Sequence, residues 1–369
     1  MLENSLGMLQ PKYTLKTAKT QTCQKSKSSQ TSFSPRQLAI GLWVVALFLA
    51  SVLAYPLAQL FSGKDGWVLN SGIVFWEVPP IQIPEVGFWD IGEIGLRYYA
   101  LLLLAGILSG YALANYLANR AKLSAGLIDK IFLGCLVLGL VGARLVYVVF
   151  NWPLFSDDWF QVLNLRSGGL SFFGAIWFAG AYVWWYARQH KFNVYQLLDV
   201  IVPGLLLGQV IARWGNLFNY ESYGPPTNLF WGMYVPEAAR MSNDYVYFDL
   251  NAEFFHPTFL YESLLNFGLL SWLLWKYDEL TKNRSGLVFA YYAMGYGLIR
   301  FVLEFFRLDA LFISLPEVLH WEPLQGWVID RLLVSQFFAL GLLGLGVYVW
   351  WQRQKVLFLK RVGEEVKVE

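Results

Sequence analysis

The sequence predicts an all-α polytopic membrane protein. It would have a seven-helix core, an extra N-terminal transmembrane helix, a small extracytoplasmic head and an interfacial arm. Three observations carry this. Of 369 residues, 56% are hydrophobic and only 15% charged, where a soluble domain carries about 25% charge. Eight apolar runs are long enough to span a bilayer, which takes about 20 residues. The basic residues between those runs fall mostly on alternate sides.

The elements follow in order. Residues 1–37 are rich in Lys, Ser, Thr and Gln and cannot bury enough apolar surface to fold alone, so they read as a disordered cytoplasmic tail. Residues 38–60 are too long an apolar run for a signal-peptide core and read as the extra transmembrane helix. Residues 61–96 carry Trp67, Trp76, Pro79, Pro80, Pro84 and Trp89 among alternating apolar residues. This suggests an arm with short strands, held at headgroup level by its tryptophans. Residues 97–352 form the main transmembrane domain. Its seven spans are expected at about Tyr98–Ala118, Leu127–Phe150, Leu170–Tyr186, Val194–Ile211, Thr258–Tyr277, Gly286–Phe306 and Leu332–Trp351. The head is expected at 217–256, and residues 353–369 read as a second cytoplasmic tail.

Charge orients the chain. With the N-terminus in the cytoplasm, 19 of the 28 Lys and Arg residues fall inside and 6 outside, a strongly positive-inside pattern. The remaining three, Arg144, Arg213 and Arg300, lie in or at the end of apolar runs, toward the outer half. Arginine near hydrocarbon is costly, about 2.5–3.5 kcal/mol at the bilayer centre. The bland alternative is snorkelling to the headgroups.

Net charge is +2, so no basic field for nucleic acid exists. Cys23 and Cys135 offer no disulfide framework, and His190, His256 and His320 lack ligand spacing. No metal and no cofactor are expected.

The polar groups cluster in a few segments. Ala212 to Gly224 reads A-R-W-G-N-L-F-N-Y-E-S-Y-G and closes an apolar run with Arg213, Asn216, Asn219 and Glu221. Arg300 and Glu304 stand four apart on one helix face, where they can pair. Arg144 lies near Gly139 and Gly142, which let another helix approach. His256 and Pro257 open the helix that contains Tyr261 and Glu262, and capping is the plain reading there. Asp199 reads as a dipole partner of its own helix. Gly168 and Gly169 read as a turn into the next helix. Two outer-half arginines suit a phospholipid phosphate, because guanidinium forks bind phosphate oxygens bidentately and stay charged. From spacing alone an enzyme and a transporter both fit.

Six ordered blocks resemble the bacterial prolipoprotein diacylglyceryl transferase family. Ala212–Gly224 is similar to its signature G-R-x-G-N-F-x-N-x-E-x-x-G, departing at Ala212 and Leu217. Further resemblances are L-R-Y-Y-A-L-L-L around Tyr99, G-A-R-L-V-Y from Gly142, G-G-L-S-F-F-G from Gly168, H-P-T-F-L-Y-E from His256 and G-Y-G-L-I-R-F-V-L-E-F-F-R from Gly295.

The resemblance implies transfer of the diacylglyceryl group of phosphatidylglycerol to the lipobox cysteine of a prolipoprotein. A thioether forms and glycerol phosphate leaves. It implies an inner-membrane, multi-pass, monomeric enzyme, while the charge count places its site toward the outer leaflet and both termini in the cytoplasm; the tail and helix before Ser62 have no counterpart in shorter members. The implied catalytic residues are Arg213, Arg300 and Glu221, the arginines holding the phosphate. Tyr99, Arg144, Asn216, Asn219, Gly224, His256 and Glu304 are implied on the substrate side. Arg144 serves either substrate or helix packing, Glu304 positions Arg300, and Gly224 makes the turn into the head.

Phe173 stands where several members carry histidine, and Phe259 where glutamine is common. The thiol base is therefore open between Glu221, His256 and the field of the arginines, the last being preferred. An inactive paralogue that binds phosphatidylglycerol or prolipoprotein is the alternative. A flippase is the third reading, although no paired repeat of the kind such transporters show is evident.

Overall fold

A computed structural model describes residues 33–46, 72–77, 93–156, 158–165, 168–240, 253–282, 284–307, 312–314 and 331–365. The tail expected at 1–37 falls almost wholly outside these residues, as does most of the arm at 61–96. The extra span at 38–60 is described only to residue 46.

The described chain is mostly helical. Residues 35–46 form α1. Then come α2 (Tyr98–Arg120), α3 (Leu127–Phe150), α4 (Phe172–Gln189), α5 (Val194–Ala212), the single-turn α6 (Gly215–Asn219), α7 (Thr258–Thr281), α8 (Leu287–Glu304) and α9 (Val334–Glu365). Among the described residues, four helical segments are long and apolar enough to cross a membrane: α2, α3, α5 with α6, and α8. Helix α7 is less apolar on average for a physical reason. Its inner face buries Glu262, Ser263 and Asn266, while Leu264, Leu265, Trp272 and Trp275 stand exposed on its outer face. That division turns its polar residues toward the protein interior and its large apolar ones outward.

Among the described residues, three two-stranded antiparallel ribbons interrupt the all-α expectation: β1 (Gly72–Glu77) with β2 (Glu93–Arg97), β3 (Met233–Tyr234) with β4 (Phe254–Phe255), and β5 (Phe312–Ser314) with β6 (Arg331–Leu333). The first falls within the arm where short strands were expected. The third corrects the expected start of the last span. Leu332 and Leu333 are strand, paired with Ile313 and Phe312, and the helix begins at Val334. Its other end also differs. The expected tail at 353–369 is helical to Glu365, because Gln, Arg, Lys and Leu favour helix once a helix is already running.

Helix α5 is the central element and packs against α2, α7 and α8, while α3 pairs with α4 and α8 with α9. Small residues permit the close approaches. A Cβ at Gly106 would lie 2.8 Å from the Gly208 carbonyl oxygen, and one at Gly110 would overlap the Gly204 carbonyl. Two glycine pairs spaced four apart thus face each other across α2 and α5, the small-residue packing of membrane helices. Gly142 on α3 similarly faces Gly174 and Phe178 on α4. Pro203 sits inside α5, whose core residues Leu197, Val200, Val202 and Leu206 are buried.

Asp199 acts across helices rather than on its own. Its carboxylate accepts backbone N–H groups of Gly286 and Phe289, at the start of α8. It caps a neighbour whose first N–H groups lack helical partners.

Candidate active site

The site is built where three helix ends meet. Arg213 follows the last residue of α5. The chain turns once through α6 and then passes two left-handed non-glycine residues, Tyr220 (φ 54°) and Ser222 (φ 55°). Each such residue costs of order 1 kcal/mol or more and persists only where its surroundings hold it. Here the holding is visible. Glu221 N–H donates to the Asn216 carbonyl at 3.0 Å, and the Ser222 carbonyl accepts Phe259 N–H at 3.1 Å and the Thr258 hydroxyl. The turn is therefore stitched to the first turn of α7.

Two glycines of the same segment are contact points. A Cβ on Gly215 would lie 2.6 Å from Cδ2 of Tyr99, so the tyrosine ring lies against α6. A Cβ on Gly224 would lie 2.6 Å from the Phe306 carbonyl oxygen and 3.2 Å from His256 Cβ. Gly224 N–H also donates to the His256 carbonyl at 2.8 Å. Its φ is not positive. Close approach of neighbouring chain, rather than a left-handed turn, is what requires glycine there.

The α7 segment stitched to this turn carries Glu262, which joins the two arginines. Its Oε1 lies 2.8 Å from Arg213 Nη2 and its Oε2 lies 3.3 Å from Arg300 Nη1. Arg300 Nη2 lies 2.8 Å from Glu304 Oε2, one turn on in α8, and Glu304 Oε1 accepts the Ser335 hydroxyl of α9. Tyr296, one turn before Arg300, is buried beside Arg213. The carboxylates are nearly sealed, with side-chain exposures of 3% for Glu262 and 1% for Glu304, whereas Arg213 keeps 22% and Arg300 14%. Two positive and two negative charges cancel inside, while the face left accessible is guanidinium. Among the described residues each fork keeps N–H donors beyond these ion pairs, and two such forks suit an incoming phosphate or phosphodiester.

A polar seam continues beneath this cluster. Gln209, one turn before Arg213, donates to the Tyr292 hydroxyl at 3.3 Å. Asn266, one turn after Glu262, is fully buried, and its amide has no hydrogen-bond partner among the described residues.

The other expected site residues divide. Asn216 is buried beside the turn, and Asn219 Nδ2 donates to Glu221 Oε1 at 3.5 Å. Glu221 itself is exposed, and no ion pair joins it to an arginine among the described residues. His256 lies on the α7 approach with Nδ1 3.0 Å from the Tyr261 hydroxyl.

Arg144 shares no ion pair with this cluster among the described residues. Its guanidinium donates to five backbone carbonyls, those of Gln161, Val162, Asn164, Gly168 and Gly169, at 2.6–3.0 Å. That uses its full set of N–H donors. These bonds are packing contacts, one of the two roles expected for it. It staples the α3–α4 connection, where Gly168 and Gly169 are both left-handed and make the expected turn. Phe173 sits among Phe172, Trp177 and Phe338, with ring centroids 5.3–6.4 Å away.

Glu262 is the functional candidate that the choice of site residues missed. The signal existed in the sequence, as an ionisable residue inside an apolar run of spanning length.

A family model described as prolipoprotein diacylglyceryl transferase matches residues 87–352. Similar proteins include the phosphatidylglycerol–prolipoprotein diacylglyceryl transferase of Gloeobacter violaceus, 35% identical over 267 residues, covering 72% of this chain and 92% of that protein. The one from Synechococcus sp. CC9902 is 36% identical over 273 residues, covering 73% and 93%. The one from Fervidobacterium nodosum is 38% identical over 224 residues, covering 60% and 75%.

Proposed function

Because the chain belongs to the prolipoprotein diacylglyceryl transferase family, we propose that it moves the diacylglyceryl group of phosphatidylglycerol onto the lipobox cysteine of prolipoproteins, the first step of lipoprotein maturation. The cysteine sulfur forms a bond to the glyceryl carbon. The carbon–oxygen bond to phosphate breaks, glycerol phosphate departs with the electron pair, and the thiol proton is released.

The observation that carries the site assignment is the bridging of Arg213 and Arg300 by Glu262. The two guanidiniums hold the phosphodiester and stabilise charge on the departing phosphate, where fixed donors act most strongly. Glu262 and Glu304 hold the guanidiniums in place. Asn216, Asn219 and Glu221 shape the wall around the head group, Tyr99 lines it from α2, and Gly224 and His256 secure the approach from the head. A thiol entering this field becomes more acidic, because a neighbouring cation favours thiolate.

The same reading sets the topology. Helices α2–α5 and α7–α9 are the seven spans of a transferase domain at 97–352 in the inner membrane, and α1 begins an eighth. The region 217–256, whose Leu217, Tyr223, Met233, Val235 and Phe255 pack together with Phe259, is the extracytoplasmic head. Both termini are cytoplasmic. Support comes from the charge pattern, and from Arg36 and Arg120, which bond the Trp275 carbonyl and Asp278 at the end of α7 remote from Glu262.

A transfer assay with phosphatidylglycerol vesicles and a lipobox peptide tests the proposal. The peptide cysteine is expected to gain the mass of one diacylglyceryl group with wild-type protein and none with Arg213→Ala. Full lipidation by that variant removes Arg213 from the mechanism. Binding of both substrates without transfer by folded wild-type protein supports an inactive paralogue instead.

A further inference from the structure

Residues 227–232, Thr-Asn-Leu-Phe-Trp-Gly, carry no charge. Phe230 is 90% exposed, and Leu229 and Trp231 are also exposed. The loop is nevertheless braced. Leu229 N–H donates to Thr227 Oγ1 at 3.2 Å, Gly232 N–H to the Leu229 carbonyl at 2.9 Å, and the Phe230 and Trp231 rings meet edge to face at 4.5 Å. Trp231 Nε1–H donates to the Tyr261 hydroxyl at 2.8 Å. The indole's polar atom is thereby satisfied within the protein.

Tyr261 is the connection that identifies what covers this loop. Leu264 and Leu265 follow it at three and four residues, and Trp272 and Trp275 continue the same helix face. All four are exposed. This is the outward apolar face of α7, opposite the face that buries Glu262 and Asn266. The loop is bonded to the top of that face and extends it.

We propose that Leu229, Phe230 and Trp231 form a wedge seated in the outer-leaflet lipid interface, beside the mouth of the site. Continuity with the α7 lipid face, the absence of charge and the satisfied indole all favour phospholipid over a peptide partner. Tryptophan and its aromatic neighbours settle at that depth. The wedge is braced to the residue next to Glu262, so it sets the height of the arginine pair relative to the phosphates.

The test does not depend on transfer activity. Phe230→Cys, and separately Leu229→Cys, are made in protein carrying Cys23→Ser and Cys135→Ser and labelled with an environment-sensitive fluorophore. Each is then placed in phosphatidylglycerol–phosphatidylethanolamine nanodiscs. The expected result at either position is blue-shifted emission, loss of iodide quenching, and stronger quenching by lipids spin-labelled near the headgroup than deep in the chain. Water-like emission with full iodide quenching at both positions overturns the proposal. So does shielding that appears only when a lipobox peptide is added.

Discussion

Replacing Glu262 with glutamine is the most informative perturbation of the site. Glu262 is 3% exposed and contacts both arginines, at 2.8 and 3.3 Å. In Glu262→Gln, Arg300 keeps Glu304 but Arg213 loses its carboxylate partner. Removing one member of a buried ion pair costs about 3–5 kcal/mol. The amide retains one acceptor oxygen, which places the expected loss at the lower end, about 3 kcal/mol. The assay is unfolding in mixed micelles with increasing denaturing detergent, followed by circular dichroism, in a cycle with Arg213→Gln. Removing both charges leaves a neutral amide pair, so the double variant is expected to be more stable than the two single losses predict, by about 2 kcal/mol. Additivity within about 0.5 kcal/mol would refute the reasoning, because the two charges would then not sense each other. Transfer follows the same logic. A loss of about 3 kcal/mol in holding the arginines corresponds to a fall of roughly 10²-fold in kcat/KM.

Other outcomes follow from individual contacts. Arg144→Ala leaves five loop carbonyls without their donor, so the unfolding midpoint is expected to drop while the KM for phosphatidylglycerol of the folded fraction stays unchanged; a raised KM with unchanged stability would return Arg144 to the substrate. Asp199→Ala removes the cap of α8 and should cost about 1–2 kcal/mol in the same unfolding assay, with no change in KM. Gly110→Leu drives a side chain into the Gly204 carbonyl and should abolish folded protein in detergent extracts, whereas Gly180→Ala, which has open space around it, should be recovered at wild-type yield. Glu304→Gln loosens Arg300 and is expected to lower transfer by about 10-fold while leaving Arg213 paired, which measurement of kcat/KM would check.

The helices were legible because an apolar run of spanning length has few alternatives in a bilayer. The reading placed α3 at Leu127–Phe150, and the structure has the same bounds. What escaped depends on partners distant in sequence. Leu332 and Leu333 look like the start of a helix, and only their pairing with residues 312–313 makes them strand. Asp199 was read against its own helix because the Gly286 N–H it caps is 87 residues away. The carbonyls that saturate Arg144 belong to a loop without a recognisable motif, so its packing contacts are invisible in the sequence. The pairing of Arg300 with Glu304 was readable from spacing alone. The third partner, Glu262, closes H-P-T-F-L-Y-E, and spacing along one helix says nothing about which carboxylate another helix presents.

The knot at Glu262 joins α5, α7 and α8, which leave the ribosome in that order. When α5 enters the bilayer, Arg213 has no carboxylate to meet, because α7 has yet to be made. Until then the guanidinium must be satisfied by water and lipid headgroups, which holds the end of α5 at the surface. The arrival of Glu262 neutralises it, and Arg300 follows with its own Glu304 already one turn away on the same helix. Pairing of the two arginines is thus tied to the order in which the helices are made, and a chain halted before α7 keeps an uncompensated cation at the end of α5.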